Sequence, residues 1–141
     1  MDTLTPQQRS ERMRLIRAKD TKPEIIVRRL LHSMGYRYRI HVAALPGRPD
    51  IVFPGRRKVI FVHGCFWHLH DNCGRAPKSR LEYWMPKLEG NRARDHANVA
   101  RLAALGWDVL VVWECAVKDL AGMTLSLRAF LDGSNRPPPR G

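Results

Sequence analysis

Between residues 63 and 73 the chain reads His63-Gly64-Cys65-Phe66-Trp67-His68-Leu69-His70-Asp71-Asn72-Cys73, a stretch that carries three of its six histidines and two of its three cysteines. Cys65, His70 and Cys73 stand at Cys-x4-His-x2-Cys spacing, and the remaining cysteine, Cys115, lies far downstream. Together they supply four soft or borderline ligands, enough for a closed tetrahedral zinc site tying this loop to the end of a distant element. Such a site is structural. It leaves His63 and His68 uncommitted on either side of the Phe66-Trp67 pair. Three cysteines cannot all pair as disulfides, and no apolar run has membrane length or signal-peptide form. A reducing cytoplasm is therefore expected, where clustered Cys and His favour zinc.

With 141 residues, 44% of them hydrophobic, the chain reads as one domain whose core is small enough to profit from a metal staple. Lys and Arg number 25 against 13 Asp and Glu, a net charge of +12 spread along the chain. A polyanion is a natural counter-surface for such a charge, because neutralising phosphates releases condensed counterions. Charge kept for solubility would give the same composition, so these two readings stay open at this point.

Residues 1–133 are expected to form the domain, and the proline-rich stretch 134–141 a disordered tail. Thr5-Pro6 opens a basic helix over residues 6–18 that bears Arg9, Arg12, Arg14 and Arg17. Thr21-x-x-Glu24 is a capping box, and the apolar spacing after it predicts a helix that stops at Gly35. Alternation predicts a strand over 36–42. The apolar run Ile51-Val52-Phe53, the reversal Pro54-Gly55-Arg56-Arg57 and the strand 58–62 predict a hairpin ending at the Cys/His cluster. Ser79-x-x-Glu82 is a second capping box, opening a helical stretch expected to break at Gly90-Asn91 and to resume as far as Leu105. A strand over 107–113 carries Glu114-Cys115 at its end, and a short helix is expected over 124–131. Helices flanking a small mixed sheet make an α/β domain.

Asp50 follows a Pro/Gly turn and heads a strand, a place from which a carboxylate can hold a hard cation against phosphate oxygens. An Asp there can equally cap the turn. The antiparallel hairpin, however, returns His63 and the cluster towards the turn at Arg48-Pro49-Asp50. Spacing leaves His68 open between zinc ligand and general base. Phe66 and Trp67 fit either a cap over the zinc or an exposed wedge that unstacks bases, and Trp84 either a core side chain or a third wedge.

Five runs of residues resemble the very-short-patch-repair mismatch endonucleases of bacteria: Leu45 to Asp50; Val59 to His68; Glu82 to Trp84; Asn91 with Arg94-Asp95; and Leu105 to Cys115. The likeness extends from about Arg9 to Val117. It implies a restriction-endonuclease-like α/β core with a structural zinc site. The implied activity is Mg²⁺-dependent nicking of one strand of double-stranded DNA, 5′ of the thymine in a T:G mismatch left by deamination of 5-methylcytosine. The resemblance implies that Asp50 and the Val62 carbonyl bind magnesium and that His68 is the general base, with Glu24 and His63 in support. Zinc maps to Cys65, His70, Cys73 and Cys115, and the wedging aromatics to Phe66, Trp67 and Trp84. Arg12, Arg14, Arg48, Asn91 and Arg94 are expected to contact DNA. Implied partners are mismatch-repair factors such as MutL and, functionally, a DNA cytosine methyltransferase. The implied setting is a monomer in the bacterial cytoplasm, associated with the nucleoid and not with a membrane.

The chain departs from the family pattern in places. One member of the family spaces its last two loop ligands one residue closer than His70 and Cys73, and has Thr at the position of Val62. Strand 58–62 also lacks the Glu-x-Lys of restriction-type motifs, an absence that a histidine base fits. Two competing readings are a related nicking nuclease for another mismatch, a damaged base or foreign DNA, and a zinc-stabilised DNA-binding module without catalysis. The second gives no use to Asp50 or to a histidine outside the zinc set.

Overall fold

The computed structural model describes residues 21–70, 74 and 76–133. The expected basic helix with Arg12 and Arg14, the candidate ligand Cys73 and the tail 134–141 lie outside the described residues.

Helix α1 (Lys22–Ser33) starts at Thr21, whose hydroxyl accepts from the Glu24 amide at 3.4 Å, with a proline in the first turn. Gly35, at φ +94°, ends it as expected. Glu24 was expected as the acidic partner of the capping box. Its carboxylate instead turns inward, 2% exposed, and is bound by Arg28 and His41.

Strand β1 (Arg39–Ile40) is much shorter than the alternation over 36–42 predicts. At its near end Tyr36 and Tyr38 serve the core, their hydroxyls donating to Asp132 Oδ2 at 2.7 Å and to the Arg28 carbonyl at 3.0 Å. At its far end His41, at φ +50°, leaves extended geometry.

Strands β2 (Ile51–Phe53) and β3 (Lys58–His63) form the expected hairpin around a 3-10 turn at Pro54–Arg56, pairing antiparallel with Ile51 opposite Ile60. Helix α2 (Leu81–Ala104) then crosses over, and β4 (Asp108–Trp113) pairs parallel to β3 from Lys58 opposite Asp108 to His63 opposite Trp113. A parallel pair needs such a crossover. The four strands lie in the order β1-β2-β3-β4.

Both faces of the central strands are covered, so these strands read as unbroken apolar runs. Ile51, Phe53 and Ile60 face Val27 and Leu31 of α1 and Leu127 and Leu131 of α3 (Leu120–Asp132). Val52, Val59 and Phe61 point the opposite way, against Leu102 of α2. Alternation at period two assigns these faces, and the register keeps each set together.

Three expected boundaries differ. Helix α2 runs 24 residues without a break at Gly90-Asn91 and contains Pro86. The Asn91 side chain does not compete with the helix backbone, since it donates to the Trp67 carbonyl and accepts from Arg94. Ser79 does not open this helix. Arg80, left-handed at φ 54°, holds the cap position, and its carbonyl accepts from Tyr83 and Trp84. Helix α3 begins four residues earlier than Thr124, because Asp119 caps it by accepting from the Gly122 amide at 3.0 Å. Among the described residues, no helix is long and apolar enough to cross a membrane.

Candidate active site

Asp50 sits immediately before β2, where pairing with β3 brings it beside Val62, and its Oδ2 accepts from the Val62 amide at 2.7 Å. A cleft of about 290 Å³ opens here, lined among others by Arg48, Asp50, His63, His68 and Asp95. Arg48 stands at its margin in a left-handed conformation, φ 48°. One cavity therefore brings together Asp50, Val62, His63 and His68, from the β2 start, the β3 end and the loop after it, while Glu24 is not among its lining residues.

His63 ends β3 and is 6% exposed. Its ring stacks on that of His68, with centroids 3.9 Å apart and planes 5° from parallel. Burial, with the His68 ring beside it, lowers its pKa to about 4, so it is neutral at physiological pH. His68 is anchored from the opposite wall: its Nδ1 lies 2.5 Å from Asp95 Oδ2 on α2. With Asp95 ionised, Nδ1 carries the proton, which leaves Nε2 as a proton acceptor.

Glu24 joins the site from α1. Its Oε2 is 2.8 Å from His41 Nε2 and 3.3 Å from Arg28 Nη1. Potential ligand atoms of Glu24, His41 and Asp50 lie within 4.8 Å of one another. Burial raises the Asp50 pKa to about 8, with the Glu24 carboxylate adding to the rise and the Val62 amide and Arg28 opposing it. Two crowded carboxyl groups, one of them strongly averse to ionising without a counter-charge, form a donor set that a hard divalent cation fits.

Two further groups bring potential ligand atoms within 4.8 Å of one another, His63 with His68 and Asp95, and a sulfur-containing one beyond Trp113. Ligand atoms of Cys65, His70 and Cys115 also lie within 4.8 Å of one another, with Cys115 Sγ 3.5 Å from His70 Nδ1. Sulfur and nitrogen on a tetrahedral zinc, at about 2.3 Å and about 2.0 Å, stand roughly 3.5 Å apart, so these residues fit that ion. The loop is folded by bonds from the His68 amide to the Gly64 carbonyl at 3.1 Å and from the His70 amide to the Cys65 carbonyl at 3.0 Å. Leu69 between them is left-handed at φ 50°. His70 thus stacks on Trp113 at 4.1 Å in the zinc-type group, while His68 faces Asp95.

Phe66, Trp67 and Trp84 form one edge-to-face cluster, with centroids 5.1 to 5.8 Å apart. Asn91, expected at the DNA, holds the Trp67 carbonyl at 3.1 Å, and Arg94 bonds Asn91 in turn. These two expected DNA contacts are therefore joined to the aromatic cluster.

Sequence reasoning gave no role to Asp95 or His41. Asp95 had one signal, its place one helical turn beyond Asn91, which puts both on the face of α2 that meets the loop. His41 had none, since it sat inside a predicted strand.

The chain matches the family described as DNA mismatch endonuclease Vsr over residues 1–75. It is 57% identical over 134 residues to the type II nicking enzyme V.XorIIP of Xanthomonas oryzae pv. oryzae, covering 94% of this chain and 98% of that protein. It is 45% identical over 118 residues to the DNA mismatch endonuclease Vsr of Escherichia coli, covering 82% and 75%. Against the type II nicking enzyme V.NmeAIP of Neisseria meningitidis the identity is 43% over 121 residues, covering 85% and 86%.

Proposed function

Since the chain belongs to the DNA mismatch endonuclease Vsr family, and is accordingly a strand-nicking DNA endonuclease, we propose that its target is the T:G mismatch in duplex DNA, cut 5′ of the thymine. The observation that carries the catalytic assignment is the single cleft lined by both Asp50 and His68, with His68 bonded to Asp95 and apart from the Cys65, His70 and Cys115 group.

Asp50 and the Val62 carbonyl would hold magnesium. Magnesium, when bound, neutralises charge building on the phosphate and orients it for in-line attack. His68 takes the proton of the attacking water at Nε2, and Asp95 keeps the imidazole in the tautomer that can do so. His63 packs flat against His68 and restricts its tilt. Glu24 organises the space beside Asp50. Arg48 at the cleft, with the basic N-terminal segment, meets the DNA backbone, and the cluster of Phe66, Trp67 and Trp84 wedges beside the mismatch. The sheet and its flanking helices are read as a restriction-endonuclease-like core.

A strand-resolved assay on T:G and matched duplexes tests the target. One nick 5′ of the thymine is expected, only in the mismatched duplex and only with Mg²⁺. Preference for another mismatch or a damaged base would overturn the assignment.

Zinc is proposed at Cys65, His70, Cys73 and Cys115, as a clasp between the loop and the end of β4. The purified protein is expected to carry one equivalent of zinc per chain by metal analysis. Cys115→Ser removes a ligand at the far side of the clasp and is expected to lose the metal. A loss of ~3 kcal/mol would lower the melting temperature by roughly 10 °C. A Cys115→Ser protein with full zinc content and unchanged melting would remove Cys115 from the ligand set.

A further inference from the structure

His41 is the residue of this centre that neither spacing nor the proposed chemistry calls for. It sits at φ +50°, a conformation that costs a branched or bulky L-residue about 1–2 kcal/mol. Such strain persists only where the surroundings determine it twice over. Here two bonds do so. The His41 amide donates to the Asp50 carbonyl at 3.3 Å, extending the β1–β2 ladder one step beyond Ile40 opposite Ile51. Its Nε2 donates to Glu24 Oε2 at 2.8 Å. A single strained residue thereby grips two acidic residues, Asp50 through the main chain and Glu24 through the ring.

Glu24 needs such a grip. Its carboxylate is 2% exposed and crowds Asp50, and a buried carboxylate is costly unless donors hold it. Arg28 supplies charge at 3.3 Å, but from the same helix, one turn on, and so cannot fix α1 against the sheet. His41 comes from the strand side and ties α1 to the β1–β2 edge. Its side chain is 16% exposed, which keeps the hydrogen bond out of competition with bulk water.

We infer that His41 is a positioning residue of the cleavage centre, holding the Glu24 carboxylate beside Asp50 so that the pair is set for a divalent cation; this rests on the nicking function proposed above. It acts through Glu24 and touches no substrate.

The test compares His41→Gln, which keeps an N–H donor, with His41→Leu, which keeps volume and loses the donor. Each is titrated with Mg²⁺ alone while the thermal shift is followed, and then in single-turnover nicking of the T:G duplex. The leucine variant is expected to need about 10–100-fold more Mg²⁺ at both midpoints, as partners that orient metal-binding groups typically require, with the rate at saturating Mg²⁺ less affected. The glutamine variant is expected to stay within a few-fold of the parent. If leucine does not pack, His41→Ala serves the same comparison. Parental Mg²⁺ midpoints in the leucine or alanine variant, or equal impairment of glutamine and leucine, would overturn the inference. A parent chain that nicks no T:G duplex would defeat the functional reading alone, because the Mg²⁺-induced thermal shifts would still decide the role of His41.

Discussion

Asp50→Asn is expected to lower single-turnover nicking of a T:G duplex by at least ~10³-fold while duplex binding survives, a loss of about 4 kcal/mol of transition-state stabilisation. The substitution keeps shape, and the amide oxygen can still accept from the Val62 amide as Asp50 Oδ2 does at 2.7 Å. What it removes is the negative charge that draws a hard cation. The same change has an opposite effect on stability. The Asp50 pKa rises from 3.8 to about 8 in the fold, because burial and the Glu24 carboxylate disfavour the ion. A carboxyl group raised in this way favours folding fully below its ordinary pKa, and that contribution is lost as pH climbs to about 8. In Mg²⁺-free buffer the parent should therefore melt progressively lower than Asp50→Asn between about pH 4 and pH 8, with the gap widest at the upper end. Mg²⁺ at pH 8 should stabilise the parent more than the variant. Nicking within tenfold of the parent would remove Asp50 from the catalytic centre, and a melting gap that narrowed as pH rose would contradict the burial of its charge.

Much of the scaffold was legible because its determinants are local. Thr21 and Gly35 bracket α1 through a hydroxyl cap and a left-handed stop, both of which act within one turn. The faces of Ile51 to Phe53 and Val59 to Phe61 follow from alternation, and the hairpin register follows from the tight reversal between them. The closeness of Cys65, His70 and Cys115 was anticipated from ligand chemistry, since few other reasons place those residue types at that spacing. What escaped depended on partners distant in the chain. Helix α2 continues through Gly90-Asn91, where the Asn91 side chain is taken up by the Trp67 carbonyl, 24 residues earlier, a partner that no local pattern shows. Tyr36 and Tyr38 leave the expected strand because Asp132 and Arg28 accept their hydroxyls. Glu24 looked like half of a capping box, and only the packing of α1 on the sheet turns it towards His41. Asp95 carries no role legible in the sequence, because its partner His68 reaches it only after the chain has crossed from β3 through the loop to α2.

That last pair yields the second large effect. His68→Ala is expected to reduce single-turnover nicking by roughly 10²–10⁴-fold, the range for loss of a positioned general base. Asp95→Asn should approach the same loss although it leaves the imidazole in place. An ionised Asp95, 2.5 Å from Nδ1, keeps the ring proton on that nitrogen and Nε2 free to accept. An asparagine no longer holds the charge that fixes the proton on Nδ1, and with its NH2 turned to the ring it donates to Nδ1, which moves the ring proton to Nε2 and leaves nothing there to receive the proton of water. Because both substitutions then remove one function, Asp95→Asn added to His68→Ala should cost little more than His68→Ala alone. Zinc content and melting temperature should stay near the parent in both single variants, since His68 lies outside the Cys65, His70 and Cys115 group. Loss of zinc on His68→Ala would instead make that residue a ligand. Effects that multiply in the double variant would mean that Asp95 acts on something other than the ring it touches.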